Sequence, residues 1–190
     1  MNTVDYIEII KPLMGEKRFT HSVNVAKEAV SLAEKYGGDT HKAYTAGILH
    51  DITKELSPEK QLQIIRDGGI ILDNIQLNAP KLWHGISGSV YVRLKLGIND
   101  ADIINAIRFH TTGRAGMSLL EKIIFVADFI SEERTYSGVE VMREKAKSSL
   151  ESAMIYGYQF TFTDLSSREL AIHPDEVNCY NELIMNKQKG

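Results

Sequence analysis

Apolar side chains recur at intervals of three and four residues along almost the whole chain, whereas strict alternation of apolar and polar residues is nearly absent. Near the N-terminus, for example, Ile7, Ile10 and Met14 would share one face of a helix. Spacings of three and four place side chains on a single helical face, while a half-buried strand requires a period of two. The sequence therefore predicts an all-α fold, a helical bundle with irregular connections.

Glycine, proline and capping residues divide this pattern into separate helices. Gly37 and Gly38 are typical of a helix end, Asp39 of a following N-cap, and Pro58 of the first position of a helix. The predicted helices cover about residues 3–14, 16–36, 39–51, 58–68, 84–96, 99–110, 118–131 and 138–162, and a last helix begins at residue 174. A loop is predicted around residues 78–80, and a loop or short helix over residues 166–172.

Size, charge and cysteine content narrow the class of protein. The 190 residues contain no repeat, low-complexity tract or linker, so one domain is predicted over residues 1–190, with a core of about 16–135 and C-terminal helices over 138–188 packing on it. A net charge of −3 gives no reason to expect nucleic acid or an acidic membrane as a partner. The single cysteine, Cys179, excludes an intrachain disulfide and thiolate-rich metal sites.

The sequence shows neither a secretory signal nor an apolar run of the ~20 residues that a membrane span needs. A cytoplasmic protein without a membrane partner is therefore expected. A homodimer is compatible with the sequence, although no motif specifies one.

A dispersed set of histidines and aspartates lies on, or at the ends of, the predicted inward helical faces. Any one histidine on an apolar face is more often a hydrogen-bonded core residue than a ligand. A core-facing aspartate is harder to explain, because Asp is rarely buried without a cation or a metal. One shared explanation is therefore favoured for the whole set, which comprises His21, His50, Asp51, His84, His110 and Asp128.

Imidazole nitrogens combined with carboxylate oxygens suit Fe, Mn, Co, Ni or Zn, whereas an all-oxygen Mg or Ca site would not use several histidines. A cation held in this way lowers the pKa of water and neutralises charge on phosphoryl oxygens. The sequence therefore predicts a metal-dependent phosphohydrolase if these residues converge.

Several motifs then make the chain resemble a known family. His21, the segment GILHDITK from Gly47 to Lys54, and Asp128 at the end of IIFVAD resemble the HD-domain phosphohydrolase superfamily. Arg18 three residues before His21, the segment IRFHTTG around His110, and VADFISEER around Asp128 resemble, more narrowly, the bacterial YqeK family. The resemblance spans about residues 16–185. It implies an HD-domain helical bundle that hydrolyses diadenosine tetraphosphate symmetrically to two ADP.

The resemblance also implies roles for individual residues. The iron-type metal ligands would be His21, His50, Asp51 and Asp128. The catalytic residues would be Asp51, Lys54, His84, His110 and Arg134. The nucleotide would contact His21, Asp51, Ile52, Thr53, Lys54, His84, His110, Thr111, Asp128 and Arg134, and its nucleoside would lie against Ala171, Ile172, His173, Pro174 and Asp175.

Other interpretations stay open at this point. The same scaffold could hydrolyse nucleoside mono- or triphosphates, or it could sense nucleotides with little turnover. Taken alone, Lys54 would be a solvated helix-end lysine, and Arg134 would form a surface ion pair with Glu132 or Glu133. A helical bundle with unrelated histidines is the remaining alternative.

Overall fold

The computed structural model describes residues 5–188, and within this part of the chain it contains helices and no strand. Two short 3₁₀ turns lie at Lys11–Leu13 and Pro80–Leu82. The α-helices of the described residues are α1 (Tyr6–Ile10), α2 (Glu16–Tyr36), α3 (Thr40–Leu49), α4 (Pro58–Asp67), α5 (Asn74–Asn78), α6 (Trp83–Leu96), α7 (Ala101–Phe109), α8 (Leu119–Ile130), α9 (Val139–Ala146), α10 (Leu150–Ser167) and α11 (Pro174–Lys187). The predicted all-α class is confirmed. Among the described helices, none combines the length and apolar character of a membrane span.

Most helix ends lie where the capping residues predict them. The carboxylate of Asp39 accepts hydrogen bonds from the backbone N–H groups of His41 and Lys42, at 2.9 and 3.0 Å. Ser118 and Glu121 form a capping box at the start of α8. These side chains satisfy N–H groups that have no partner within the helix, so they determine where the helix can begin. The start predicted at residue 3 lies outside the described residues.

One predicted helix was wrong, and one short helix was not predicted. The helix predicted over 138–162 is divided into α9 and α10, because the hydroxyl of Ser149 accepts from the backbone N–H of Ser152 and starts a new helix. The second helix then continues to Ser167, into the predicted loop or short helix. The segment before α6 contains the short helix α5, which was not predicted. It begins at a capping box formed by Asp73 and Gln76.

Small residues of α3 let it pack closely against α2. A Cβ atom at Gly47 would lie 2.8 Å from the Cα atom of Ala26, so the two backbones nearly touch. Ala43 and Ala46 are also completely buried. The close approach brings the C-terminal end of α3 next to α2, where His21 lies.

One apolar cluster contains residues from α1, α2, α3, α7, α8 and the helices that follow. Ile48 of α3, Phe125 of α8, Tyr158 of α10 and Leu183 of α11 all belong to it. A smaller cluster formed by Ile65, Trp83 and Ile86 joins α4 to α6. The helices that carry the histidines and aspartates therefore pack around one apolar core.

Glu176, in the first turn of α11, is a buried carboxyl group with an unusual environment. It is 4% exposed, and its Oε2 atom has no hydrogen-bond partner among the described residues. Burial raises the pKa of Glu176 from 4.5 to about 7, and the charge of Asp175 adds to this effect. Because the folded state disfavours the ionised form, stability should fall as the pH rises from about 4.5 to 7.

Glu176→Gln is therefore expected to raise the free energy of unfolding by about 3 kcal/mol at pH 8, but by less than about 1 kcal/mol at pH 5. Urea unfolding at both pH values, in one metal state, measures this difference. Glu8→Gln, on an exposed face of α1, is the control. Equal gains at the two pH values would contradict the buried ionisation.

Candidate metal centre and phosphate site

Five helices bring the six predicted site residues to one place. His21 comes from α2, His84 from the first turn of α6, and Asp128 from the last turn of α8. His50 and Asp51 directly follow α3, and His110 directly follows α7. All except the partly exposed Asp128 are buried. The tertiary fold thus assembles residues that are more than 100 positions apart.

The ligand atoms of these residues face one another at short distances. The Nε2 atoms of His21 and His50 are 3.2 Å apart, and His21 Nε2 lies 3.1 Å from Asp128 Oδ1. Asp51 Oδ2 is 3.3 Å from His50 Nε2, while Asp51 Oδ1 is 3.2 Å from His84 Nε2. Three groups of possible ligand atoms, each within 4.8 Å of one another, are His21–His50–Asp51, His50–His110–Asp128 and Asp51–His84–His110.

Hydrogen bonds at the other ring nitrogen set the tautomers of three histidines. His50 Nδ1 donates to the carbonyl of Gly47, and His110 Nδ1 donates to the carbonyl of Ile107, each at 2.7 Å. These carbonyls are in the last turns of α3 and α7, where they have no helical partner. His21 Nδ1 donates to the carboxylate of Glu133. The Nε2 lone pairs of all three rings therefore face the cluster.

This arrangement fits a divalent cation. The facing Nε2 atoms of His21 and His50 both carry lone pairs, so the pair requires a proton or a cation between the rings. Asp51 Oδ1 is buried without a hydrogen-bond partner in the described part of the chain. The residues present can therefore hold a metal, and their nitrogen and oxygen atoms suit a transition metal.

The protonation states agree with this fit. Burial would raise the pKa of Asp51 and of Asp128, but the neighbouring imidazoles and cationic side chains hold both pKa values well below their usual range. For Asp51 these groups include His50, His84 and Lys54. Burial, reinforced by His50, lowers the pKa of His110 to about 4. The site therefore offers carboxylates together with a neutral imidazole at His110.

Positive side chains surround the carboxylates. Arg18 donates to Asp51 Oδ2. Arg134 donates to both the backbone carbonyl and the carboxylate of Asp128, so the alternative pairing with Glu132 or Glu133 was wrong. Lys54 Nζ lies 3.1 and 3.2 Å from the ring nitrogens of His84, and burial lowers its pKa.

Three other residues predicted to contact the nucleotide, Thr111, Thr53 and Ile52, differ in their distance from the cluster. Thr111 Oγ1 lies 3.3 Å from His84 Nε2, at the edge of the cluster. The hydroxyl of Thr53 donates to the backbone carbonyl of His84 at 2.9 Å, and Ile52 belongs to the apolar core. Thr53 thus ties the end of α3 to the start of α6.

The segment 171–175 forms part of a narrow cavity rather than of the cluster itself. His173 and Asp175 line this cavity together with Thr111, through which it adjoins His84. Ala171 and Pro174 are exposed, and Ile172 is partly buried. His173 also caps α11, since its Nδ1 atom accepts from the backbone N–H of Asp175 at 3.1 Å. Residues 173 and 175 of the predicted nucleoside segment therefore line a cavity that adjoins the His84 side of the cluster.

Three residues of the site were not given a role by the sequence. Arg18 lies one helical turn before His21, and that spacing could have revealed it. Glu133 orients His21, and Arg143 donates to the backbone carbonyls of Ile130, Ser131 and Arg134, which holds the turn after α8. No sequence pattern indicates the last two residues, because their contacts depend on the path of an irregular turn.

Comparison with known proteins agrees with this geometry. A family model described as HD domain matches residues 18–132. A protein of Halalkalibacterium halodurans named "Bis(5'-nucleosyl)-tetraphosphatase, symmetrical" is 39% identical over 188 residues, which cover 99% of this chain and 100% of the relative. A Bacillus subtilis protein of the same name is 38% identical over 184 residues, covering 97% and 98%.

One solved structure is also similar to this chain over nearly its whole length. It is titled a predicted HD superfamily hydrolase involved in NAD metabolism, from Clostridium acetobutylicum, and it superposes with a TM-score of 0.93 at 37% identity. The match covers 95% of this chain and 96% of that one. The chain therefore belongs to the HD domain family and, within it, to the group of symmetrical bis(5'-nucleosyl)-tetraphosphatases.

Proposed function

We propose that this protein is a metal-dependent phosphohydrolase that cleaves diadenosine tetraphosphate, and related dinucleoside polyphosphates, symmetrically into two ADP. The observation that carries the proposal is the buried cluster of imidazoles and carboxylates bordered by Arg18, Lys54 and Arg134. Relatives that match nearly the whole chain carry the name of this activity. We further propose that residues 1–190 form a single HD domain that acts in the cytoplasm, with a nucleotide as its partner rather than nucleic acid or a membrane.

His21, His50, Asp51 and Asp128 would hold the metal, for which we propose iron, although the same donors also suit Mn, Co, Ni or Zn. A divalent cation bound there would supply positive charge against the phosphoryl oxygens and make nearby water more acidic. Glu133 supports this set, because its hydrogen bond keeps the Nε2 lone pair of His21 directed into the cluster.

The chain's own residues would position the polyphosphate. Arg18 and Arg134 now pair with Asp51 and Asp128, so they can turn towards phosphate oxygens while remaining next to the cluster. Lys54, His84 and His110 would contact the phosphates on the opposite side, near Thr111. Positive charge and hydrogen-bond donors would then lie on both sides of the reacting phosphorus.

The reaction would be an in-line displacement at phosphorus. The oxygen of a water molecule attacks the second phosphorus from one adenosine, and the bond from that phosphorus to the central bridging oxygen breaks. The bridging oxygen leaves with the other half, so both products are ADP. Asp51 would accept a proton from the attacking water, a role supported by its Oδ1 atom, which has no hydrogen-bond partner among the described residues.

Chromatographic analysis of products from iron-loaded protein and diadenosine tetraphosphate, under reducing conditions, tests the proposal. ADP as the single product is expected. ATP with AMP would contradict the symmetric point of attack. No product from this substrate, together with release of nucleoside or of triphosphate ion from simple nucleotides, would favour the other HD-type hydrolases. Nucleotide binding without turnover would favour a sensing role.

A further inference from the structure

A second cavity opens on the side of the cluster away from His84. It encloses about 520 Å³ and is lined by Lys17, Arg18, His21, Arg134 and Tyr136. This volume lies within the range of small-molecule sites, about 300–1,000 Å³. The cavity includes a predicted metal ligand, His21, and the two arginines that pair with the cluster carboxylates. It will be called the Tyr136 cavity.

The cluster separates the Tyr136 cavity from the narrow cavity at His173. The two cavities have no lining residue in common. A line of contacts crosses from one to the other: Thr111 Oγ1 is 3.3 Å from His84 Nε2, and His84 Nε2 is 3.2 Å from Asp51 Oδ1. On the far side, Asp51 Oδ2 is 3.7 Å from His21 Nε2. The two carboxylate oxygens of Asp51 thus face residues on different sides of the cluster.

The shape of the substrate requires two such openings. A dinucleoside tetraphosphate that is cut at its centre carries one nucleoside on each side of the reacting phosphate. If one nucleotide half lies towards Thr111 and His173, the other half must leave the cluster in another direction.

We propose that the Tyr136 cavity is the subsite for the second nucleotide half, a proposal that rests on the proposed function. Lys17 and Arg18 contact the phosphates of that half, and the ring of Tyr136 stacks on its base. Enclosure of both halves favours dinucleotides over substrates with a single nucleoside.

The charges of the cavity suit an anion. Lys17 is exposed and has no carboxylate partner among the described residues, and the Nε atom of Arg18 is buried there without a hydrogen-bond partner. The two acidic residues at the same cavity are already engaged. Glu55 accepts from the backbone N–H of Gly15 at 2.6 Å, and Glu133 accepts from His21.

The aromatic part of the cavity suits a base. Tyr136 is partly buried, and its ring packs against that of Phe160, with 5.0 Å between the ring centroids. Stacking on aromatic side chains is tolerant of base identity, because every base offers a π-face. Tyr136, backed by Phe160, therefore provides an aromatic surface in the lining of the cavity.

The test compares a substrate with two nucleosides against one with a single nucleoside. Diadenosine tetraphosphate and adenosine 5′-tetraphosphate have the same number of phosphates, but only the first carries a base for each of the two cavities. The single base of adenosine tetraphosphate is expected to lie on the His173 side. Tyr136→Ala is expected to lower kcat/KM for diadenosine tetraphosphate about tenfold, mainly through KM, and to change the value for adenosine tetraphosphate less than about twofold. Tyr136→Phe should retain wild-type values.

A charge reversal provides an independent variant. Lys17→Glu is expected to raise KM for diadenosine tetraphosphate about tenfold, whereas Lys27→Glu, an exposed lysine of α2 outside the cavity, should not. Calorimetric titration of the metal-loaded protein with the dinucleotide analogue that has a methylene group at the central bridge measures binding without turnover. Both Lys17→Glu and Tyr136→Ala should weaken its dissociation constant by a similar factor.

The outcomes separate the two proposals. Normal cleavage to ADP with unchanged constants in Tyr136→Ala and Lys17→Glu would overturn the second subsite and leave the proposed function intact. Equal losses on both substrates in Tyr136→Ala would also overturn it, because the base would then not be the group recognised. Absence of cleavage and of analogue binding in the unchanged protein would overturn the proposed function, and the subsite with it.

Discussion

Replacement of Asp51 by alanine is expected to abolish hydrolysis of diadenosine tetraphosphate, a loss of more than about a hundredfold in kcat. Asp51 contributes to two of the three possible ligand groups, and its two oxygens lie 3.3 Å from His50 and 3.2 Å from His84. Its removal takes away both a metal ligand and the proposed proton acceptor. Formation of ADP, measured together with metal content after iron loading, records both effects.

His41→Ala is the matched control, because His41 is exposed at the start of α3 and outside the cluster. The control should retain wild-type turnover and metal content. Far-UV circular dichroism should show that Asp51→Ala remains helical. Turnover with wild-type metal content in Asp51→Ala, or in His50→Ala, would show that the cluster is not the catalytic centre.

Glu133→Ala is expected to weaken metal binding by about 10- to 100-fold. Glu133 accepts from His21 Nδ1, from the amide of Asn24 at 2.8 Å and from the hydroxyl of Ser131 at 2.7 Å. Burial works against its ionisation, but these hydrogen bonds lower the pKa of Glu133 to about 2, so the carboxylate is ionised at neutral pH. Without it, His21 can rotate or change tautomer. Competition with a chelator measures the metal dissociation constant.

Two variants separate orientation from charge. Glu133→Gln keeps an acceptor for His21 and should bind metal more tightly than Glu133→Ala. Glu132→Ala removes an exposed neighbouring carboxylate that has no hydrogen bond to His21, and it should behave as the unchanged protein. Equal metal affinities in Glu132→Ala and Glu133→Ala would remove the supporting role of Glu133.

The sequence predicted helix ends best where the residues next to the end determine it by themselves. The bounds of α2 agree with the prediction at both ends. The C-terminal end was predictable because Gly37 adopts the left-handed conformation that a helix end favours, with φ of 73°. The division between α9 and α10 was missed, since Ser149 can lie inside a helix or cap one, and its surroundings decide between these states. The sequence thus predicted which segments are helical better than it predicted where one helix ends and the next begins.

The site shows the same distinction. His21, His50 and Asp128 converge because each lies on, or just beyond, an inward helical face that the residue spacing reveals. Glu133 and Tyr136 come from an irregular segment whose path is set by the tertiary contacts of Arg143, so no periodic pattern indicates them. The residues of the cluster could be predicted, whereas the groups that orient them required coordinates.

His50 and His110 each donate a hydrogen bond from Nδ1 to the backbone carbonyl three residues earlier, so each ring stabilises the final turn of its own helix like a brace. Fraying of α3 or α7 would remove this brace and misdirect the Nε2 lone pair, and a ligand on Nε2 would in turn oppose fraying. Ligand affinity and the local opening free energy of these two turns are therefore thermodynamically linked, with the metal acting through His50 and the phosphates through His110. Slow exchange of amide hydrogens at the ends of α3 and α7 would then report occupancy of the centre from backbone positions that never contact the ion.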